Sequence, residues 1–462
     1  MKISKWLPRS LLKYRSLSTH QLRYEVRSNL IFICLLYGLI GFILTGVAYW
    51  LDMRMFIGEE VTSFFQVDYD LTQQIIGTLI AGIITLNAFT LNSILVVLTN
   101  FSGQFTPRML STFISDKRTQ HCIGIFNLVF VFILFSFFII DESVISVYFT
   151  FPILTILFMF GALATFVYFI NHAVKWMQVP TIMQNMKMES TKHILTTLVE
   201  DLERYRTREP NSAEIEVNEE EGHKVRAKTS GFLQIVDYKR LIAYAKEEDL
   251  LMRFEKRVGE YVLEGTELIT YWKRVGKEVD EDPIKRRIFI GMKKTEVQDI
   301  EFGVNKLKEI AIKSIGNNDP NSASNAIYQL GDLLLSISKI TNFTPYLTDK
   351  DNTLRVIIKK ESFEYYLNST FSHLTIYANE DPVITNDILA TLSLLVDVIG
   401  TEYHKDLWEF SLLVAKGYSA PFSLSYNEEK FYNSLQRISE TTGNKQAYED
   451  FVKSYSGRTI DS

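Results

Sequence analysis

The sequence of 462 residues has little cysteine, no catalytic signature and no strongly basic region. Its two cysteines, Cys34 and Cys122, lie in or beside apolar segments, and they exclude a disulfide framework. A net charge of −5 gives no electrostatic support for nucleic-acid binding. Motifs for phosphate-binding loops, dinucleotide-binding folds, zinc proteases and serine hydrolases are missing, so we expect no enzymatic activity and no resident cofactor or metal.

Charge is also nearly absent from most of residues 28–175, and this part of the chain carries four long apolar segments. They cover about residues 30–51, 75–99, 122–140 and 145–171. A helix of about 20 such residues crosses a bilayer whose hydrocarbon core is about 30 Å thick. One such segment would suit a buried helix of a soluble protein, but four in succession predict four transmembrane helices.

The lysine and arginine residues around these segments predict how the chain is oriented. Seven precede the first segment, and the first loop has only Arg54. The second loop has Arg108, Lys117 and Arg118, and the third has none. Because cytoplasmic loops carry the excess of positive charge, both termini are expected in the cytoplasm.

The second apolar segment differs from the others because polar residues recur along it every seven positions. On a helix, the direction of side chains spaced by seven residues changes by only about 20° per step. One stripe, termed the polar stripe, therefore contains Thr78, Thr85, Asn92 and Thr99. Asparagine in hydrocarbon is costly unless it meets protein or water. The stripe therefore predicts either close contact with neighbouring helices or the lining of an oligomeric pore. Arg108 would lie at the cytoplasmic mouth of such a pore, or would anchor the chain to lipid phosphates.

The remaining chain predicts an α+β region, a small β-barrel-like module followed by a helical bundle. Gly259 and Gly265, with alternating apolar residues around them, are typical of tight turns between barrel strands. Helices are predicted at about 296–315, 321–339, 361–378, 382–400, 404–417 and 427–440, with a strand at 353–358. The expected divisions are a basic cytoplasmic arm (1–27), the transmembrane domain (28–175), a connecting helix and acidic linker (176–223), the β-rich module (224–292) and a helical C-terminal domain (293–462).

Two acidic residues are the best candidates for a regulatory or structural role in the soluble part. Asp299 lies in polar sequence near a predicted helix start. Asp319 precedes Pro320, which is the pattern of a helix N-cap followed by proline at the first helical position, so capping is the simpler interpretation there. The seven histidines show no ligand spacing, and His172 fits a membrane-interface position better than a metal site.

Several short motifs are distributed along the chain. They are Gln104-Phe-Thr-Pro-Arg108 with Phe113, Asp116 and Gln120; Ser230-Gly231-Phe-Leu-Gln234 with Asp237; Val258-Gly259 to Gly265; Thr295 with Gln298-Asp299 and Phe302-Gly303; and Asn318-Asp319-Pro320 with Ala323. Together they resemble a bacterial family of predicted membrane proteins, the domain of unknown function 2254, and the resemblance runs from about residue 25 to about 420. It implies a protein of the bacterial inner membrane, and it implies no activity.

Two functions fit this organisation. The first is a homo-oligomeric ion channel or pore, with the polar stripe along the pathway of inorganic ions and a regulatory cytoplasmic region. The alternative is a non-conducting scaffold or sensor that binds a cytoplasmic partner or ligand. In both cases we expect the lipid bilayer and further copies of the chain as partners, and no nucleic acid.

Overall fold

A computed structural model describes most of the chain. The described residues are 30–104, 113–114, 116–145, 147–176, 178, 183–184, 186–188, 190–191, 202–210, 221–273, 279–292, 294, 299–341 and 343–456. The predicted basic arm and most of the predicted connecting helix and acidic linker lie outside them. The described residues divide into two compact units, the membrane unit within residues 30–178 and the soluble unit within residues 183–456.

Within its described residues, the membrane unit contains four helices that are long and apolar enough to cross a bilayer. They are α1 (Leu30–Met53), α2 (Tyr69–Gln104), α3 (Lys117–Ile139) and α4 (Thr150–Trp176). The four predicted segments are therefore confirmed as helices. Between them, strand β1 (Val67–Asp68) pairs antiparallel with β2 (Val147–Tyr148), which ties the loop before α2 to the loop before α4.

Helices α1 and α3 pack closely because glycine lies at two of their contacts. A Cβ on Gly41 would come within 2.6 Å of the Leu128 carbonyl oxygen, and one on Gly124 would come within 2.6 Å of the Tyr37 ring. Polar groups join the same helices, since Asn127 Nδ2 donates to the Cys34 carbonyl at 2.6 Å. Small residues and interhelical hydrogen bonds are the usual means by which helices associate in lipid, where the surrounding chains are as apolar as leucine.

The strands among the described residues of the soluble unit form two open sheets, and they do not close into the predicted barrel. One sheet has the order β3-β7-β5-β10-β9 and the other the order β6-β4-β8. The strands are β3 (His223–Arg226), β4 (Gly231–Val236), β5 (Leu250–Phe254), β6 (Tyr261–Val262), β7 (Glu267–Lys273), β8 (Ile288–Gly291), β9 (Tyr346–Thr348) and β10 (Leu354–Ile357). The barrel prediction failed because β10, about a hundred residues downstream, pairs parallel with β5.

Eight helices of ten residues or more complete the soluble unit within its described residues. They are α5 (Tyr238–Glu247), α6 (Ile300–Gly316), α7 (Pro320–Ile340), α8 (Phe363–Tyr377), α9 (Pro382–Val396), α10 (His404–Gly417), α11 (Ser425–Thr442) and α12 (Lys445–Ser456). The six helices predicted after residue 295 and the strand near 353–358 are all present. The positions of these helices were predictable from apolar residues at helical spacing, because each helix buries one apolar face.

Candidate functional site

The polar stripe of α2 faces outward from the membrane unit. Thr78, Thr85, Asn92 and Thr99 are all exposed, whereas the opposite face of α2, which includes Ile76, Ile83 and Thr90, is buried. Thr85 and Thr99 donate to backbone carbonyls one turn earlier within α2, at 2.8 and 2.7 Å. The Asn92 amide makes no hydrogen bond to any described residue.

This arrangement leaves a polar amide on a surface that otherwise suits hydrocarbon. Leu91 and Leu95, neighbours of Asn92 on α2, are 59% and 60% exposed. In the hydrocarbon region an unsatisfied amide costs several kcal/mol. Within the stripe, the Asn92 amide is therefore the group that lacks a partner among the described residues.

A second polar cluster lies where α3 begins and α4 ends. Asp116 is the N-cap of α3, and its carboxylate accepts hydrogen bonds from the backbone N–H groups of Arg118 and Thr119 at 3.0 and 3.2 Å. The same oxygen lies 2.9 Å from Nε2 of His172, which is only 7% exposed and belongs to α4. Sequence reasoning missed this pair, because the two residues are 56 positions apart.

Aromatic rings enclose the pair. The rings of Phe113 and Tyr168 stack on the His172 imidazole, and Trp176 meets it edge-on. Burial raises the pKa of Asp116, but the hydrogen bonds from His172 and from the backbone outweigh burial and hold this pKa below its ordinary value of 3.8. Phe113 and Asp116 belong to the motifs named above, so those motif residues fasten one end of α3 to α4.

A double-mutant cycle is expected to show that Asp116 and His172 act as one unit. Asp116→Ser keeps a capping oxygen but is too short to reach His172, and His172→Phe keeps the ring volume. Each change should lose the same hydrogen bond, so the double variant should be only slightly less stable than either single one. We expect a coupling energy of about 1–2 kcal/mol in the unfolding free energy of the purified protein. Additive losses would show that the two residues act independently.

A third cluster lies in the soluble unit around Asp299, the N-cap residue of α6. Lys294 Nζ is 3.9 Å from Asp299 Oδ2 and 4.0 Å from Glu301 Oε2. Gly259 lies directly against the carboxylate, since a Cβ there would come within 2.5 Å of Asp299 Oδ2. Gly259 also has a φ of 91°, so glycine is required both for its backbone conformation and for this contact.

The Asp299 cluster is buried and incompletely paired. Asp299 is 7% exposed, and its Oδ2 accepts no hydrogen bond from the residues that the structure describes. Burial raises its pKa to about 6, although the Lys294 ammonium opposes the shift. Beside it, the Arg257 guanidinium lies over the Tyr365 ring at 4.0 Å, and the Tyr365 hydroxyl donates to Glu301.

The structure keeps the other predicted site residues apart from this cluster. Asp319 accepts a hydrogen bond from Ser322 N at 3.1 Å as the N-cap of α7. Asp299 and Asp319 flank the 17-residue helix α6, which is about 25 Å long, so they do not share a site. Arg108 lies outside the described residues.

Four apolar helices joined to a mixed α/β unit define the class of multi-span membrane proteins. The chain belongs to the family described as predicted membrane protein, domain of unknown function 2254, whose match covers residues 27–393.

Uncharacterized proteins of two mycobacteria are among the relatives of this chain. That of Mycobacterium tuberculosis strain CDC 1551 is 24% identical over 305 residues, and that of Mycobacterium bovis is 25% identical over 308 residues. Each alignment covers 63% of this chain and 57% of the relative, so the chain spans little more than half the length of these relatives. No solved structure matches the chain.

Proposed function

We propose that the protein is a homo-oligomeric ion channel of the bacterial inner membrane, with both termini in the cytoplasm and the polar stripe of α2 along the pathway. The observation that carries this proposal is the exposed Asn92 in the middle of an apolar helix. Association of several copies through α2 would place Thr78, Thr85, Asn92 and Thr99 against protein or water instead of hydrocarbon. The distribution of lysine and arginine supports the orientation.

Cysteine cross-linking tests the oligomer. In a background without Cys34 and Cys122, Asn92→Cys is expected to form disulfide-linked dimers in native membranes upon mild oxidation. The matched control is Leu91→Cys, which is equally near the bilayer centre but rotated by about 100° around α2. We expect little cross-linking at position 91. Equal cross-linking at both positions, or none at position 92, would contradict association through the stripe.

Planar-bilayer recordings of the purified protein test conduction. Wild type is expected to conduct inorganic ions, and Asn92→Leu should reduce the unitary conductance severalfold by removing a polar group from the pathway. Leu91→Ala should leave the conductance unchanged. If wild type does not conduct under varied voltage, tension and calcium, the channel proposal is wrong.

The Asp299 cluster supports the second function, a non-conducting sensor whose soluble unit binds a ligand or partner. Its specific feature is the buried Asp299 oxygen without a hydrogen-bond donor among the described residues. Pull-down from native membranes separates the two functions. A stoichiometric partner without conductance favours the sensor, and a pure self-oligomer that conducts favours the channel.

A further inference from the structure

A groove between α3 and α4 combines a charged mouth with an apolar interior. Its volume is about 460 Å³. Arg118 and His121 of α3 form the polar end, while Ile125 of α3 and Ala164 of α4 lie deeper, with Tyr168 beside the mouth. Seven residues separate Arg118 from Ile125, which corresponds to about 10 Å along the helix axis.

The groove opens on the side of the membrane unit that suits hydrocarbon. Phe160, Leu163 and Val167 on the adjacent surface of α4 are 68%, 49% and 56% exposed. A water-soluble ligand would have to cross hydrocarbon to reach the interior of the groove. A membrane lipid has direct lateral access, with its headgroup at the level of the helix ends and its acyl chains at the level of the helices.

The two polar residues at the mouth are suited to a phosphate group. The Arg118 side chain is exposed and forms no ion pair with a described residue, and guanidinium binds phosphate through paired N–H donors. His121 is oriented by Tyr37, whose hydroxyl lies 2.9 Å from Nδ1. When the Tyr37 hydroxyl donates to Nδ1, the neutral imidazole carries its proton on Nε2 and presents a donor to the groove.

The nearest acidic group forms no ion pair with the Arg118 side chain. The Asp116 oxygen near the mouth is already shared by His172 and by two backbone N–H groups. The Arg118 guanidinium therefore keeps its N–H donors for an incoming anion. Basic pockets between transmembrane helices bind acidic lipid headgroups, with about 1 kcal/mol for each lysine or arginine near the membrane surface.

We propose that this groove binds a phospholipid with an anionic headgroup. The phosphate contacts Arg118 and His121, and an acyl chain lies along Ile125, Ala164 and Tyr168. The site is independent of the proposed conduction, because it lies on α3 and α4 and not on the polar stripe of α2.

Lipid retention measured by native mass spectrometry tests the site. Purified full-length protein is delipidated and titrated with phosphatidylglycerol or with phosphatidylcholine of the same acyl chains. Wild type is expected to retain one phosphatidylglycerol at about fivefold lower concentration than phosphatidylcholine, because one arginine contributes about 1 kcal/mol. Arg118→Gln should remove this preference. Lys117→Gln is the matched control, since Lys117 is an exposed cation of the same turn that does not line the groove.

A second pair of variants tests the apolar interior without changing charge. Ala164→Trp should fill the groove and weaken phosphatidylglycerol retention at least fivefold, whereas Leu163→Trp, on the neighbouring exposed surface, should not. Equal retention of both lipids by wild type would overturn the proposal, as would equal losses in the Arg118 and Lys117 variants. The proposal would also be overturned if copies of the chain associate without lipid and Ala164→Trp abolishes that association. The groove would then be the binding site of a second copy. If Ala164→Trp does not fold, comparing lipid retention by the Arg118→Gln and Lys117→Gln variants still tests the proposal.

Discussion

Replacing Asp52 with alanine is expected to destabilise the membrane unit strongly. Asp52 lies in the last turn of α1 and is only 1% exposed. Its carboxylate accepts the N–H of Thr150 at 2.9 Å and that of Phe151 at 3.0 Å. The next residue of α4, Pro152, has no N–H, so the first donors of this helix are all satisfied.

Alanine would leave two buried N–H groups without an acceptor at a helix end near hydrocarbon. Each unsatisfied donor lowers the free energy of unfolding by about 1–3 kcal/mol. The roughly 1 kcal/mol that is lost with a helix cap is already included in this range. We therefore expect a loss of about 3 kcal/mol and a fall of about 10 °C in the unfolding temperature of the purified protein. Asp52→Asn retains one acceptor oxygen and should lose about half as much.

Asp70→Ala is the matched control for this prediction. Asp70 is an exposed acid in the first turn of α2, so its loss should change the unfolding temperature by only a few degrees. Equal shifts at positions 52 and 70 would show that the interhelical cap contributes little to stability.

Asp299→Asn is expected to stabilise the protein above neutral pH and to have little effect near pH 4. The pKa of Asp299 in the folded protein is about 6, against an ordinary value of 3.8. Between these values the folded protein keeps the proton and the unfolded chain does not. The contribution of Asp299 to stability is therefore fully present below about pH 4 and is lost as the pH rises through about 6.

The expected gain in the amide variant at pH 8 is on the order of 2–3 kcal/mol, because each unit of pKa corresponds to about 1.36 kcal/mol. An amide occupies the same space against Gly259 and carries no charge that burial would penalise. Lys294 keeps its second carboxylate, Glu301, at 4.0 Å. The free energies of unfolding of wild type and variant should be compared across pH 4 to 8. The contributions of the other titrating groups then cancel in the difference.

The control is Asp282→Asn, which removes an exposed carboxylate on the one-turn helix Asp282–Lys285 and should give no pH-dependent difference. If Asp299→Asn is less stable than wild type at pH 8, the charged form of Asp299 is stabilised by contacts that outweigh burial. A ligand of the sensor alternative would be the first explanation to examine.

Several features were predictable from local sequence because they depend on neighbouring residues. Asp237 caps α5 by accepting the Arg240 N–H at 3.0 Å, and Asp319 caps α7 ahead of Pro320. Gly259 and Gly265 have φ angles of 91° and 85°, as the predicted tight turns require. Caps and turns are set within about four residues, so their patterns are visible in the sequence.

By itself the sequence determined the four apolar helices, the polar stripe on one of them and the helical character of the chain after residue 295. Long apolar runs and seven-residue spacing have direct physical consequences in lipid. Only the tertiary structure decided that the stripe faces outward, that Asp52 caps α4, that Asp116 meets His172 and that β10 joins β5 in an open sheet. Each of these depends on contacts between residues about 50 to 100 positions apart, which packing selects and local pattern does not encode.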